Sequence, residues 1–274
     1  MNQAQFDSFD SFRRSLKEYC NSLNSRFGEE LCVLQKKAAF KDTPPYPIET
    51  PVVYNRALDE INEDSVITKI VIGDNPGKNE QLAVNQKYLV GQAGKIASGF
   101  FAKNKEFKTD FRSNVIILNK TPVHSAKTAH LKQILKEASP ELCAAVKESL
   151  VFMAGKTAEL HIKLCSAASE KDTAPELWLT GYAELKKGSI FEEYARLLKN
   201  AYTADGSLKS DTKKEHEDAF PKFLPYWEKV FVFQHFSMNR FSIDLADFIK
   251  KQGEGDVVQA ARLLGTKHKN EILG

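Results

Sequence analysis

The stretch ITKIVIGDNPGKNE, Ile67 to Glu80, decides how the rest of the chain is read. Its first half is apolar apart from Thr68 and Lys69, as a strand buried on both faces should be. The run stops at Gly-Asp-Asn-Pro-Gly, which is too polar to continue a sheet and reads as a turn. Ligands bind outside the carboxyl ends of strands in open α/β sheets. The carboxylate of Asp74 and the amide of Asn75 therefore stand where chemistry is expected. A plain polar turn, with Asp74 capping a helix, is the simpler reading of the same residues.

Working outward, three more short apolar runs look like buried strands: NVIILN (114–119), SLVFMAG (149–155) and KVFVFQH (229–235). Helical patterns separate them, such as AGKIASGFFAKN (93–104) and KTAELHIKLCSAAS (156–169). Strands alternating with helices predict an α/β fold, a three-layer α/β/α sandwich around a central four-stranded parallel sheet. Upstream, Phe6, Phe9, Phe12, Leu16, Tyr19, Leu23 and Phe27 recur at helical steps. KDTPPYPIETP (41–51), with four prolines, reads as an extended connector. The interval 168–228 before the last strand is long; it holds a helical pattern, IFEEYARLLKNAY, and a charged stretch, TADGSLKSDTKKEHED, read as a solvated loop. After the last strand come two helical patterns, SIDLADFIKK and VVQAARLLG, and a polar tail, TKHKNEILG. The simplest parse is one domain over 1–274, with an N-terminal helical extension (1–50) and an insertion (168–228).

The 274 residues, 42% hydrophobic and 27% charged, suffice for a full core. A net charge of +3 permits a polyanionic partner without arguing for one. No apolar run approaches a membrane span, and MNQAQFDSFD lacks the basic and apolar regions of a signal peptide, so a cytoplasmic protein with no membrane partner is expected. Cys20, Cys32, Cys143 and Cys165 show no C-x-x-C spacing and no paired histidines, so they are expected to be buried reduced thiols and not metal ligands.

Three of the four predicted strands end in polar residues: Asp74 and Asn75, then Asn119, then His235. A parallel sheet brings such ends to one edge, so these residues can converge although far apart in sequence.

At this point the chain resembles the uracil-DNA glycosylase superfamily. The family's first motif takes forms such as GQDPY, GMNPG, GINPG or GEAPGxxE, and here reads GDNPGKNE (73–80). In the bacterial iron–sulfur group it runs on to PFVGxAG, matched by YLVGQAG (88–94). The asparagine closing the second strand is matched by IILN, ending at Asn119. A Gly-x-x-Ala turn after the third strand is matched by FMAGKTA (152–158), and the final HPS by HFS (235–237). The resemblance spans about residues 67–245 without the interval 168–228.

It implies a uracil-DNA glycosylase-like fold and a monofunctional enzyme of base excision repair. Such an enzyme hydrolyses the N-glycosidic bond of uracil or a related deaminated base in DNA, as a monomer and without metal or cofactor. Asn75 is implied to hold the attacking water. Asp74 matches the glutamate of GEAPG and stands between a catalytic carboxylate and a turn residue. Asn119 is implied to read the base edge, and His235 to donate to the O2 oxygen as charge develops there. Gly73, Pro76, Gly77, Tyr88 and Leu89 complete the base site. Met238 is the candidate wedge filling the flipped base's place, with Asn239 and Arg240 on the opposite strand or phosphates. Backbone amides at Gly77, Ser125 and Ser237, with Lys78, Lys120 and Lys127, are candidates for phosphates.

The departures also carry weight. The family's stacking aromatic falls on Leu89, with Tyr88 one position earlier. Either Tyr88 stacks, or Leu89 makes an apolar platform, or the pocket prefers another base. Phe236 replaces the proline of HPS, and the paired cysteines of the iron–sulfur group are missing. The rival readings are a catalytically altered or inactive member that binds nucleic acid or nucleotide only, and a small-molecule hydrolase using Asp74 and His235 as acid and base. The charged insertion could also serve protein interaction.

Overall fold

The computed structural model describes residues 1–169, 174–203, 225–253 and 255–274. Four strands, β1 (Lys69–Gly73), β2 (Val115–Asn119), β3 (Glu176–Thr180) and β4 (Val230–Phe233), form one parallel sheet in the order β2-β1-β3-β4. Every strand residue is buried, which is why these runs are apolar without alternation.

Alternate side chains serve two cores. Ile70, Ile72, Ile116, Leu118, Leu177 and Leu179 join one, together with α1 (Gln3–Ala39), α3 (Thr128–Glu137), α4 (Pro140–Ser166) and α5 (Glu192–Ala201). Val71, Ile117, Trp178, Phe231 and Phe233 join the other, with α2 (Gln92–Lys103), α6 (Arg240–Gln252) and α7 (Val257–Leu273). The arrangement is an α/β fold with helices on both faces of a parallel sheet.

The predicted amphipathic helix at the N-terminus is α1, started by a capping box between Asn2 and Gln5. Its buried Phe9, Phe12, Leu16 and Leu23 belong to the same core as the sheet. Among the described residues no helix is long and apolar enough to cross a membrane.

The third strand is not where the sequence pattern put it. SLVFMAG lies inside α4, so the Gly-x-x-Ala match at 152–158 is helical and follows no strand. α4 packs on the sheet and against α1 and α5, and residues 142, 145, 146, 149, 150, 153, 154, 157 and 158 are buried at helical spacing. A short apolar window of so buried a helix looks the same as a buried strand. The true third strand, ELWLT, lies inside the interval taken as an insertion. It escapes an apolar scan because it opens on a charge. Glu176 is buried opposite Lys69 of β1, 3.5 Å away, and accepts from Arg262 at 2.7 Å and from the Trp178 indole at 2.9 Å. Burial works to raise its carboxyl, yet Lys69 and Arg262 leave it below the ordinary carboxylate value. Apart from Thr203, the stretch 203–218 lies outside the described residues.

Two smaller expectations also change. The tail at 266–274 continues α7 almost to its end, with His268, Lys269 and Leu273 buried. Cys20 and Cys165 are buried, but Cys32 and Cys143 are only half-buried.

Candidate active site

The carboxyl edge of the sheet opens into a cavity of about 510 Å³. Its wall includes Asp74, Asn75 and Gly77 after β1, Asn119 at the end of β2, and His235, Ser237, Met238 and Arg240 after β4. Leu89, Ser125, Glu80 and Thr128 complete the side nearest β1 and β2. Residues from three strand ends, separated by more than a hundred positions in sequence, thus line one space of a size suited to a nucleobase.

The GDNPG turn is held from outside by the proline-rich connector. Tyr46 bonds His124 Nε2 at 2.9 Å, and His124 Nδ1 lies 2.8 Å from the Pro76 carbonyl. Burial pushes the His124 imidazole down to about 4, so it is neutral: Nδ1–H donates to Pro76 and Nε2 accepts from the tyrosine. Pro76 therefore supports the turn and does not itself line the cavity.

Asn75 is pinned through one end of its amide. Nδ2 donates to Ser125 Oγ at 2.9 Å, to the Ser125 carbonyl at 3.2 Å and to the Pro76 carbonyl at 3.1 Å. With the donor committed, Oδ1 is the polar atom left to accept a hydrogen bond from a water. An amide cannot take a proton from that water, but it can fix its position.

Asp74 is tied differently. Lys120 follows β2, is fully buried, and reaches Asp74 Oδ1 at 2.5 Å. The same ammonium donates to the carbonyls of Thr180 at 2.7 Å and Gly73 at 3.2 Å, so all three of its protons are used. Burial lowers the Lys120 ammonium and Asp74 works against that shift. Lys120 is therefore an internal tie between β1, β2 and β3 and unavailable to a phosphate. Gly181, in the left-handed region at φ 91°, makes room: a Cβ there would collide with Asp74 Oδ1.

His235 is oriented by its own loop. The Ser237 backbone N–H donates to Nδ1 at 3.1 Å, and Ser237 Oγ lies 2.8 Å from the same nitrogen. Nδ1 is thus the acceptor, and Nε2 carries the ring proton. Burial is the main cause that holds this imidazole below its ordinary value, Lys120 adds to it and Asp74 opposes it. A neutral ring with one N–H remains, a donor and not an imidazolium.

Two sequence-derived candidates divide clearly. Tyr88 is in the second core, its hydroxyl on the Val53 carbonyl at 2.6 Å, and it does not line the cavity. Leu89 does, in the left-handed conformation at φ 51°, with its carbonyl held by Arg112. The apolar platform is the arrangement present. The wedge candidate Met238 stands at the rim, 68% exposed, and it and Asn239 both adopt left-handed backbone at φ 53° and 57°. Such residues cost about 1–2 kcal/mol each outside glycine, and they push the methionine out of the loop. Asn239 itself is not in the cavity wall.

The phosphate candidates fare less well. The Ser125 amide is spent on the Pro76 carbonyl at 3.1 Å and the Ser237 amide on His235. Lys127 pairs with Asp42 at 2.8 Å, and Lys78 lies over the Tyr46 ring, away from the cavity wall. Gly77 and Arg240 stay on the wall. Glu80 and Thr128 were missed as site residues; Glu80 is quoted in the first motif, but nothing in a lone acid after a Pro-Gly turn announces burial. The four cysteines join no cluster of three His, Cys, Asp or Glu residues among the described residues, so they do not fit an iron–sulfur centre.

Comparisons with protein-family models, curated proteins and solved structures give no match to this chain.

Proposed function

We propose that the chain is a monofunctional DNA glycosylase that hydrolyses the N-glycosidic bond of uracil or a related deaminated base, on a uracil-DNA glycosylase-like form of the α/β/α fold. In this reading it acts on DNA as a cytoplasmic monomer. One observation carries the proposal: Asn75, Asn119 and His235, from the ends of three strands, line one cavity. The resemblance now rests on four of its five motifs, since the match at 152–158 is helical.

Breaking the C1′–N bond separates an oxocarbenium-like sugar from an anionic base. The chain's own groups supply what that needs. Asn75 Oδ1 holds the water beneath the sugar, and His235 Nε2–H donates to the base oxygen as its charge grows. A neutral donor avoids placing a proton where the base would only have to give it up. Asp74 stabilises Lys120 and adds negative potential near the developing cation. Its tie to Lys120 argues against the acid–base hydrolase, which requires a freely titrating carboxylate. A nucleotide-binding member without excision is favoured by one observation, that Leu89 and not an aromatic ring lines the base site.

The decisive experiment uses single-stranded oligonucleotides carrying one uracil, hypoxanthine or xanthine. Each is incubated with the purified protein and then treated with hot alkali, so that excision appears as strand breakage. Breakage at uracil is expected; none on any of the three overturns the proposal. Met238→Ala is expected to slow excision from a duplex roughly tenfold, because unstacking costs a few kcal/mol there, and to leave single-stranded substrate nearly unchanged. Equal losses on both substrates would remove Met238 from the wedge role.

A further inference from the structure

Two enclosed polar atoms at the cavity edge have no hydrogen-bond partner: Glu80 Oε2 and Asn119 Nδ2. They sit on wall side chains exposed by only 7% and 1%. One is an acceptor and the other a donor, and leaving such a buried group unmade costs about 1–3 kcal/mol. The Asn119 amide favours the charged form of the Glu80 carboxyl, which only its N–H side can do. Nδ2 therefore faces Glu80. On the other side of the amide, Oδ1 lies over the bare Cα of Gly73, where a Cβ would come within 2.5 Å of it. That contact offers Oδ1 no conventional donor, so its lone pairs remain for a ligand.

We propose that Glu80 is the positioning residue for Asn119: its carboxylate holds Nδ2 inward and Oδ1 toward the cavity, so the site takes heterocycles presenting a ring N–H at that edge. The ligand class is a lactam, –NH–C(=O)–, as in uracil, hypoxanthine or xanthine. Cytosine offers a bare ring nitrogen there, which meets Oδ1 acceptor to acceptor. That the lactam is a nucleobase rests on the base-excision reading; the sense of the amide does not.

The arrangement is sensitive to protonation. Burial raises the Glu80 carboxyl to about 7, against the Gly77 and Leu89 amides, Arg112 and Asn119. Two titratable side chains face it. Arg112 is bound to the Tyr88 carbonyl at 3.2 Å and to that of Leu89, and the Tyr88 hydroxyl is fixed on Val53. Above this value the carboxylate holds Nδ2. Below it, a carboxyl O–H can donate to Oδ1, the amide turns, and the preference for a ring N–H is lost.

The test follows 1-methyluracil, 1,3-dimethyluracil and 1-methylcytosine binding to the intact protein by NMR shift titration between pH 8 and pH 5.5. At pH 8, 1-methyluracil is expected to bind at least roughly tenfold tighter than either competitor, the worth of one unmade buried hydrogen bond. That preference is expected to shrink toward unity at pH 5.5. Glu80→Gln, nearly isosteric and therefore the variant that keeps the fold, is expected to show a smaller preference that no longer changes with pH. Three outcomes overturn the inference: no binding of any of the bases, a wild-type preference flat with pH, or one unchanged in Glu80→Gln. Glu80-dependent preference without excision from oligonucleotides overturns the base-excision reading alone. Excision with a Glu80-independent preference overturns this inference alone.

Discussion

Asn75→Ala and His235→Ala are each expected to lower the rate of uracil excision roughly 100-fold or more, the scale of a lost transition-state hydrogen bond. Single-turnover rates on a uracil oligonucleotide measure this. The two losses should differ in kind. Asn75 acts on the water, so its removal leaves base binding nearly intact and reduces the chemical step. His235 acts on charge that exists only as the bond breaks, so its removal also acts on the rate more than on binding. Ser237 supplies the orientation, since its amide donates to Nδ1 and thereby puts the ring proton on Nε2. His235→Gln can present a donor at a similar reach and is expected to recover part of the rate. If both alanine variants excise uracil at near wild-type rates, the cavity is not the site of base excision.

Asp74→Asn is expected to destabilise the fold by about 3–5 kcal/mol, because it leaves the fully buried Lys120 ammonium without its counter-charge. Urea unfolding measures the effect. Lys120→Met is expected to cost less, since Asp74 borders the cavity and can be rehydrated. The double variant is expected to be more stable than the sum of the single losses allows, because two groups in direct contact are coupled. Under conditions where Asp74→Asn is folded, its excision rate is expected to stay within about tenfold of wild type, below 1.4 kcal/mol in the barrier. A loss of 100-fold or more with the fold intact would make Asp74 a base after all. That outcome is chemically open to it only through Oδ2, which has Thr128 Oγ1 at 3.4 Å as its nearest donor.

The parts of the architecture that were legible share one property: their signal is local. β1, β2 and β4 are short apolar runs with polar ends, and α1 carries its apolar stripe for 37 residues. β3 was not legible, because a buried ion pair with Lys69 and Arg262 stands where an apolar residue was sought. SLVFMAG misled for the opposite reason: α4 is covered by the sheet, α1 and α5, and its apolar content no longer reports a single face. The same contrast runs through the site. Asn75, Asn119 and His235 were found because strand ends meet at one edge whatever the helices do.

From the sequence alone came the fold class and the edge at which chemistry should be sought. A strand buried on both faces must be apolar, and the polar turn that ends it must lie at the sheet's rim. What each polar residue there can do was decided by tertiary contacts between distant positions. Lys120 turns Asp74 into half of a buried pair, and Ser125 takes the donor end of Asn75. Arg112 fixes Leu89, and not Tyr88, in the wall, and Glu80 selects the face of Asn119. Hydrogen-bond and charge partners are set by distances in space, and no period or spacing along the chain encodes them.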